Sequence, residues 1–273
     1  MKNALIRSLA FWILFDTLLY ALGKVAAMIP LEWLRLCYAI LGVLDALLLI
    51  WIFLRNEKKS FKNIGLSWDK YTLLKFLLGL FIGTVIMTLF IFVLTGFTSL
   101  QLKKNSNTIE PLSWIMYLLV IIPLAWMEEL VFRSYSFLKL NTAYGLWWAQ
   151  FISAIAFALY HVASGWSWQV AFLGPFVWAF VFGLAAMASR GIALPTGIHT
   201  ALNFLQIITG MKADKLSLWT WELKQNNSGN AQAKADMVGI LIQIFILITA
   251  VLCTWLFLKR KSRGKKTFAE SFV

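Results

Sequence analysis

Long apolar runs alternate with short charged or turn-forming breaks along the whole chain. The runs fall at roughly 4 to 22, 31 to 54, 71 to 97, 112 to 132, 146 to 166, 168 to 189, 192 to 210 and 237 to 258. A membrane-crossing helix needs about 20 mainly apolar residues, so the pattern predicts an all-α, polytopic transmembrane bundle of about eight spans. The first run, from Ala4, is followed by no small-residue cleavage site and reads as a retained span. The longest polar breaks are Arg55 to Lys70, Leu100 to Glu110 and Lys212 to Asp236. The last carries Asn226, Asn227, Ser228 and Gly229 and is expected to be a solvent-exposed loop. The chain divides into residues 1–110 with about three spans, 111–210 with four, and 211–273 with a polar loop, a last span and a basic tail. No internal repeat is evident, which argues against an inverted-repeat transporter.

Composition sharpens this picture. Of the 273 residues, 60% are hydrophobic and 14% charged, where a soluble domain carries about 25% charged residues. A net charge of +13 raises the question of nucleic acid, but the basic residues sit between apolar runs and in the tail Lys259 to Lys266. There they act as topological anchors and contacts to lipid headgroups, and no nucleic-acid partner is expected. With both termini cytoplasmic, the inner side collects Lys2, Arg7, Arg55, Lys58, Lys59, Lys62, Lys70, Arg133, Lys139, Arg190 and the tail. The outer side keeps Lys24, Lys103, Lys104, Lys212, Lys215, Lys224 and Lys234. The imbalance favours cytoplasmic N- and C-termini. Cys37 and Cys253 each lie in an apolar run without metal or disulfide spacing.

Three polar constellations interrupt the apolar runs. In the first, Glu128 and Glu129 stand side by side ahead of Arg133. An ionised carboxylate at membrane depth costs on the order of 2.5 to 3.5 kcal/mol, so the pair needs a partner, a cavity or a proton. Glu129 and Arg133 are four apart with the acid first, the favourable order for an intrahelical ion pair, while Glu128 points about 100° away and is left free. In the second, Phe157 and His161 share a helical face, so that the phenyl ring can hold the imidazole. In the third, His199 and Asn203 are again four apart; Pro195 suits a first helical turn, and Gly197 admits the close approach of another backbone or of a substrate. Each constellation alone is also explained by helix packing or interfacial polarity. Together they place both histidines of the chain, a free acid and a carboxamide within apolar spans. Those are the parts needed to activate water and stabilise an oxyanion.

In order, EExxxR at Glu128 to Arg133, FxxxH at Phe157 to His161 and HxxxN at His199 to Asn203 resemble the CPBP family of intramembrane peptidases, which contains CAAX prenyl endopeptidases and bacteriocin-processing proteins. The resemblance covers mainly Ser113 to Gly210, and Phe61 to Leu66 is similar to a short pre-span segment of that family. It implies that Glu128 polarises the attacking water, that His161 assists as proton carrier or holds the water, and that His199 and Asn203 bind the water or the developing oxyanion. Glu129, Arg133 and Phe157 then support them. It also implies a membrane-associated peptide or prenylated protein as substrate, with CAAX-type processing, bacteriocin maturation or self-immunity as the role. Localisation in a bacterial plasma membrane among membrane lipids is expected.

Two matters stay open at this level. Glu128, His161 and His199 would make a three-ligand zinc site with an open water position, yet no HExxH helix is present and a ligating Glu128 would no longer be free as base. Straight helices also put His161 near the outer end of its span, and Glu128 and His199 in the cytoplasmic half. A shared site therefore needs tilted helices around a wet cavity, with hydrolysis near the cytoplasmic face. A non-catalytic scaffold, or a transporter with proton-carrying acids, is the alternative.

Overall fold

A computed structural model describes residues 2–26, 31–106, 111–212, 217–224 and 230–270. The elements are α1 (Lys2–Ala26), α2 (Leu31–Asn56), a 3-10 turn (Phe61–Ile64), α3 (Thr72–Phe97), β1 (Leu100–Lys104), α4 (Pro111–Arg133), α5 (Tyr135–Tyr144), α6 (Leu146–Ala163), α7 (Trp168–Leu173), α8 (Pro175–Ser189), α9 (Ala193–Ile208), β2 (Trp219–Leu223) and α10 (Ala231–Glu270). Among the described residues, six helical stretches are long and apolar enough to cross a membrane: Asn3–Lys24, Trp33–Asn56, Thr72–Phe97, Leu146–Ala163, Trp168–Ser189 and Ala231–Ser262. The other two expected spans are α4, which carries the acid pair, and α9, whose 16 residues reach only about 24 Å. The protein is an all-α helical membrane bundle.

Lipid-type packing governs the assembly. Leucines, phenylalanines and isoleucines such as Leu77, Phe81, Phe92 and Phe245 face outward, because apolar solvent imposes no penalty on them. Helices then associate through small residues that let backbones touch. A Cβ on Gly197 of α9 would stand 2.1 Å from the Phe76 carbonyl oxygen of α3, and one on Gly79 of α3 would stand 2.2 Å from the Leu194 carbonyl oxygen of α9. The space that Gly197 opens is thus filled by the backbone of α3, which fixes the helix carrying His199.

Several expectations need correction. The run 168 to 189 is long and apolar enough to cross as expected, but within it the helix breaks at Gly174–Pro175 between α7 and α8, since proline lacks the N–H that would continue the helix and suits the first turn of a new one. The stretch after Arg133 is not a plain connection but α5, whose Tyr135, Ser136, Phe137 and Leu140 are buried. The polar breaks after α3 and α9 are not simply loops either. Leu100 and Leu102 alternate with Gln101 and Lys103, Trp219, Trp221 and Leu223 alternate with Thr220 and Glu222, and the two segments pair antiparallel with Leu100 opposite Leu223 and Leu102 opposite Trp221. Lys103 bonds Glu222 at 3.1 Å across that pair. Asn226, Asn227, Ser228 and Gly229 lie outside the described residues. The tail Lys259 to Lys266 continues the helix of α10 rather than trailing from it.

Candidate active site

α4 and α9 bring the acid pair against the second histidine. Glu129, fully buried, lies 2.9 Å from His199 Nδ1 through Oε1 and 3.4 Å from Arg133 Nε through Oε2. The intrahelical pair expected from the four-residue spacing is present, and the same carboxylate also orients an imidazole on another helix, which the spacing did not reveal. Because a carboxylate only accepts, the proton on this contact belongs to His199 Nδ1, and Nε2 is left to face Glu128. Glu128 Oε2 is 3.6 Å from that nitrogen, beyond hydrogen-bonding distance, and is buried with no hydrogen-bond partner.

Arg133 is 2% exposed and is held by rings as well as by Glu129. Its guanidinium carbon lies 4.2 Å from the Phe157 centroid and 5.0 Å from that of Phe182, an arrangement that stabilises a desolvated cation. Phe182 also stacks on His199 at 4.7 Å and 17°. Phe182 is a site residue that sequence reasoning missed, since one phenylalanine in the wholly apolar α8 carries no distinguishing signal.

His161 occupies the last turn of α6. Its Nδ1 donates to the Phe157 carbonyl at 2.8 Å, which leaves Nε2 as an acceptor in the neutral ring. The Phe157 ring meets His161 edge-on at 4.6 Å and His199 at 6.2 Å, so one phenyl ring packs against both imidazoles. Straight helices would separate His161 from His199, but in the structure Phe157 packs against both rings and both imidazoles line one cavity.

That cavity, about 760 Å³, is lined by His161, His199, Asn203, Phe157 and Phe182 and extends past Trp166 and Lys212 to Leu100, Met211 and Gln232. It runs from His199, the contact of the acid pair, to the end of the bundle made by the last turns of α6 and α9 and the start of α10. Arg7, Glu57 and Lys139 meet at the other end, with Arg190 beside Gly65. Asn203 Oδ1 accepts from Lys212 Nζ at 2.8 Å. Lys212, expected among the outer basic residues, also lines this cavity.

Among the described residues, no three His, Cys, Asp or Glu side chains are grouped so as to hold an ion. Glu129 already occupies Nδ1 of His199, and the side chains present do not form a three-ligand zinc site.

A family model described as type II CAAX prenyl endopeptidase Rce1-like matches residues 110–205. This is the family to which the three motifs point. The Rce1-like stretch contains Glu128, Glu129, Arg133, Phe157, His161, His199 and Asn203, and it supports a membrane endopeptidase at the level of the family. Comparison with curated proteins finds no match. Lys212 lies beyond the Rce1-like stretch.

Proposed function

We propose that the chain is an intramembrane endopeptidase in which Glu128 activates water against one peptide bond of a membrane-associated peptide or prenylated protein. The observation that carries this reading is a pair of acceptors beside the cavity wall that His199 forms: Glu128 Oε2, buried without a hydrogen-bond partner, and His199 Nε2, 3.6 Å apart. A water beside both donates one hydrogen to each and keeps its lone pairs for a carbonyl carbon. The water oxygen bonds to that carbon as Glu128 takes the proton, and negative charge moves to the carbonyl oxygen, where Asn203 is the nearby carboxamide. Breaking the C–N bond then returns the proton from Glu128 to the departing amine. His161, with Nε2 free, holds the water or relays the proton. A water-excluded, preorganised setting strengthens each of these contacts.

The charge distribution supports a direction of access. With the basic ends of α1, α2 and α10 cytoplasmic, the cavity opens towards the opposite face, although Glu128 itself lies in the last turns of α4 nearer the basic end. Cleavage at Glu128 then stays in the cytoplasmic half, as expected from straight spans, while the substrate enters from the far side or from the bilayer. The test is labelling of whole cells with a membrane-impermeant maleimide, using Gln232→Cys and Lys59→Cys in a background with Cys37 and Cys253 replaced by Ala. Labelling of Gln232→Cys alone is expected. The reverse pattern would invert the orientation.

The activity itself is tested by mass spectrometry of lipid-anchored peptides incubated with purified protein. Cleavage by the wild type, its loss in Glu128→Gln and its persistence with a chelator are expected. Equal products from both proteins would refute the glutamate reading, and loss with chelator, restored by zinc, would install a metal in its place.

A further inference from the structure

Lys212 reaches the cavity by a local device. α9 ends at Ile208, and Gly210, at φ +74°, takes the left-handed conformation that glycine adopts without strain. The chain folds back over the helix end, with the Lys212 N–H bonded to the Gln206 carbonyl at 3.1 Å. The turn is tightly enclosed, because a Cβ at position 210 would stand 2.4 Å from the Trp219 carbonyl oxygen. It returns the lysine side chain to Asn203, nine residues earlier, at 2.8 Å.

The same ammonium lies 5.8 Å from the Trp166 ring, and Trp166 meets His161 edge-on at 4.9 Å. One cation thus touches a neighbour of each histidine: Asn203, one helical turn beyond His199, and Trp166, packed on His161. Among the described residues no carboxylate forms an ion pair with it. Burial pushes its ammonium below the ordinary lysine value, and the charge of Glu128 opposes that shift. An amide side chain can present either end to a neighbour. An ammonium has no acceptor, so it binds only the oxygen.

We propose that Lys212 is a positioning residue for the hydrolysis, which fixes the Asn203 carboxamide with Oδ1 towards the ammonium and Nδ2–H towards the scissile carbonyl oxygen. This rests on the peptidase reading above. Without Lys212 the carboxamide is free to flip, and the oxygen on which charge develops then meets a carbonyl instead of a donor. Removing one preorganised oxyanion donor costs roughly 10²-fold or more in kcat.

The experiment uses the full chain in lipid nanodiscs with a lipid-anchored peptide ending in a free carboxylate. Lys212→Met is expected to lower kcat roughly 100-fold with KM within about twofold, and Lys212→Arg to recover much of the loss. Asn203→Ala and the Asn203→Ala, Lys212→Met double variant are expected to be equally slow, since the two residues act as a unit. An unchanged kcat in Lys212→Met, or fully additive losses, overturns the proposal. So does a raised KM that appears equally in wild type with a C-terminally amidated peptide, which would assign the ammonium to the substrate carboxylate. A wild type as inactive as Glu128→Gln would refute the peptidase reading instead. The contact is then read without catalysis, from the side-chain amide signal of Asn203 in protein carrying 15N-asparagine, identified with Asn203→Ala. That signal is expected to move in Lys212→Met and to stay near its place in Lys212→Arg; an unmoved signal in Lys212→Met overturns the proposal.

Discussion

Two ionic clusters in this protein differ in how their acids are bonded. Glu57, just past α2, is surrounded by donors: Arg7 at 2.8 Å, Tyr135 and Lys139 on Oε1, and Lys59 at 3.1 Å on Oε2. Every part of that carboxylate is used. In the cluster between α4 and α9, by contrast, Glu128 Oε2, Glu129 Oε2 and both terminal nitrogens of Arg133 are buried without a hydrogen-bond partner. Buried polar atoms left unmatched cost about 1–3 kcal/mol each, and native structures hold few of them. The first cluster fastens α1, α2 and α5 together. The second retains that cost, which the proposed water and substrate would offset by completing the bonding.

The comparison predicts opposite consequences of neutralising each acid. Glu128→Gln is expected to reduce peptide cleavage about 10³-fold, within the range of general acid–base catalysis, while thermal unfolding stays unchanged or moves upward. A clear drop in unfolding temperature would mean that Glu128 serves the fold. Arg133→Met gives the next largest effect, because it leaves Glu129 ionised and buried beside His199; breaking such a pair costs about 3–5 kcal/mol. Adding Glu129→Gln is expected to recover a large part of that stability without recovering activity. If the double variant is no more stable than Arg133→Met, the pair is not what holds α4 in place.

The division between these two clusters was only half legible in the sequence. Spacing of four residues predicts the Glu129–Arg133 pair, the Phe157–His161 contact and the shared face of His199 and Asn203, because helical periodicity is a local property. It also isolates Glu128 correctly as the acid without an intrahelical partner. What spacing cannot carry is contact between helices: the bond from His199 to Glu129, the seat of Arg133 between Phe157 and Phe182, and the convergence of four donors on Glu57 all join residues far apart in the chain. The alternation of Leu100 and Leu102 with Gln101 and Lys103 was readable as a strand, but its partner lay more than 100 residues away. Lys212 was hidden for another reason. A lysine just past an apolar run usually marks the membrane surface, and only the reversal at Gly210 carries it back inside.

The smallest predicted effect concerns Glu57. Burial tends to raise its carboxyl, but hydrogen bonds from Lys139, Tyr135, Lys59 and Arg7 outweigh that and bring it down to about 2 from an ordinary 4.5. A carboxyl depressed by folding contributes stability that is fully present above its unfolded value and disappears as pH falls through its folded value. Glu57→Gln is therefore expected to lower the unfolding midpoint slightly at neutral pH, with peptide cleavage at the wild-type rate. The gap between the two proteins should hold steady down to about pH 5, narrow between there and pH 2, and close below. A gap independent of pH would show that packing of α5, rather than the charge, is what Glu57 supplies. A loss of cleavage would join the two clusters that their hydrogen bonding separates.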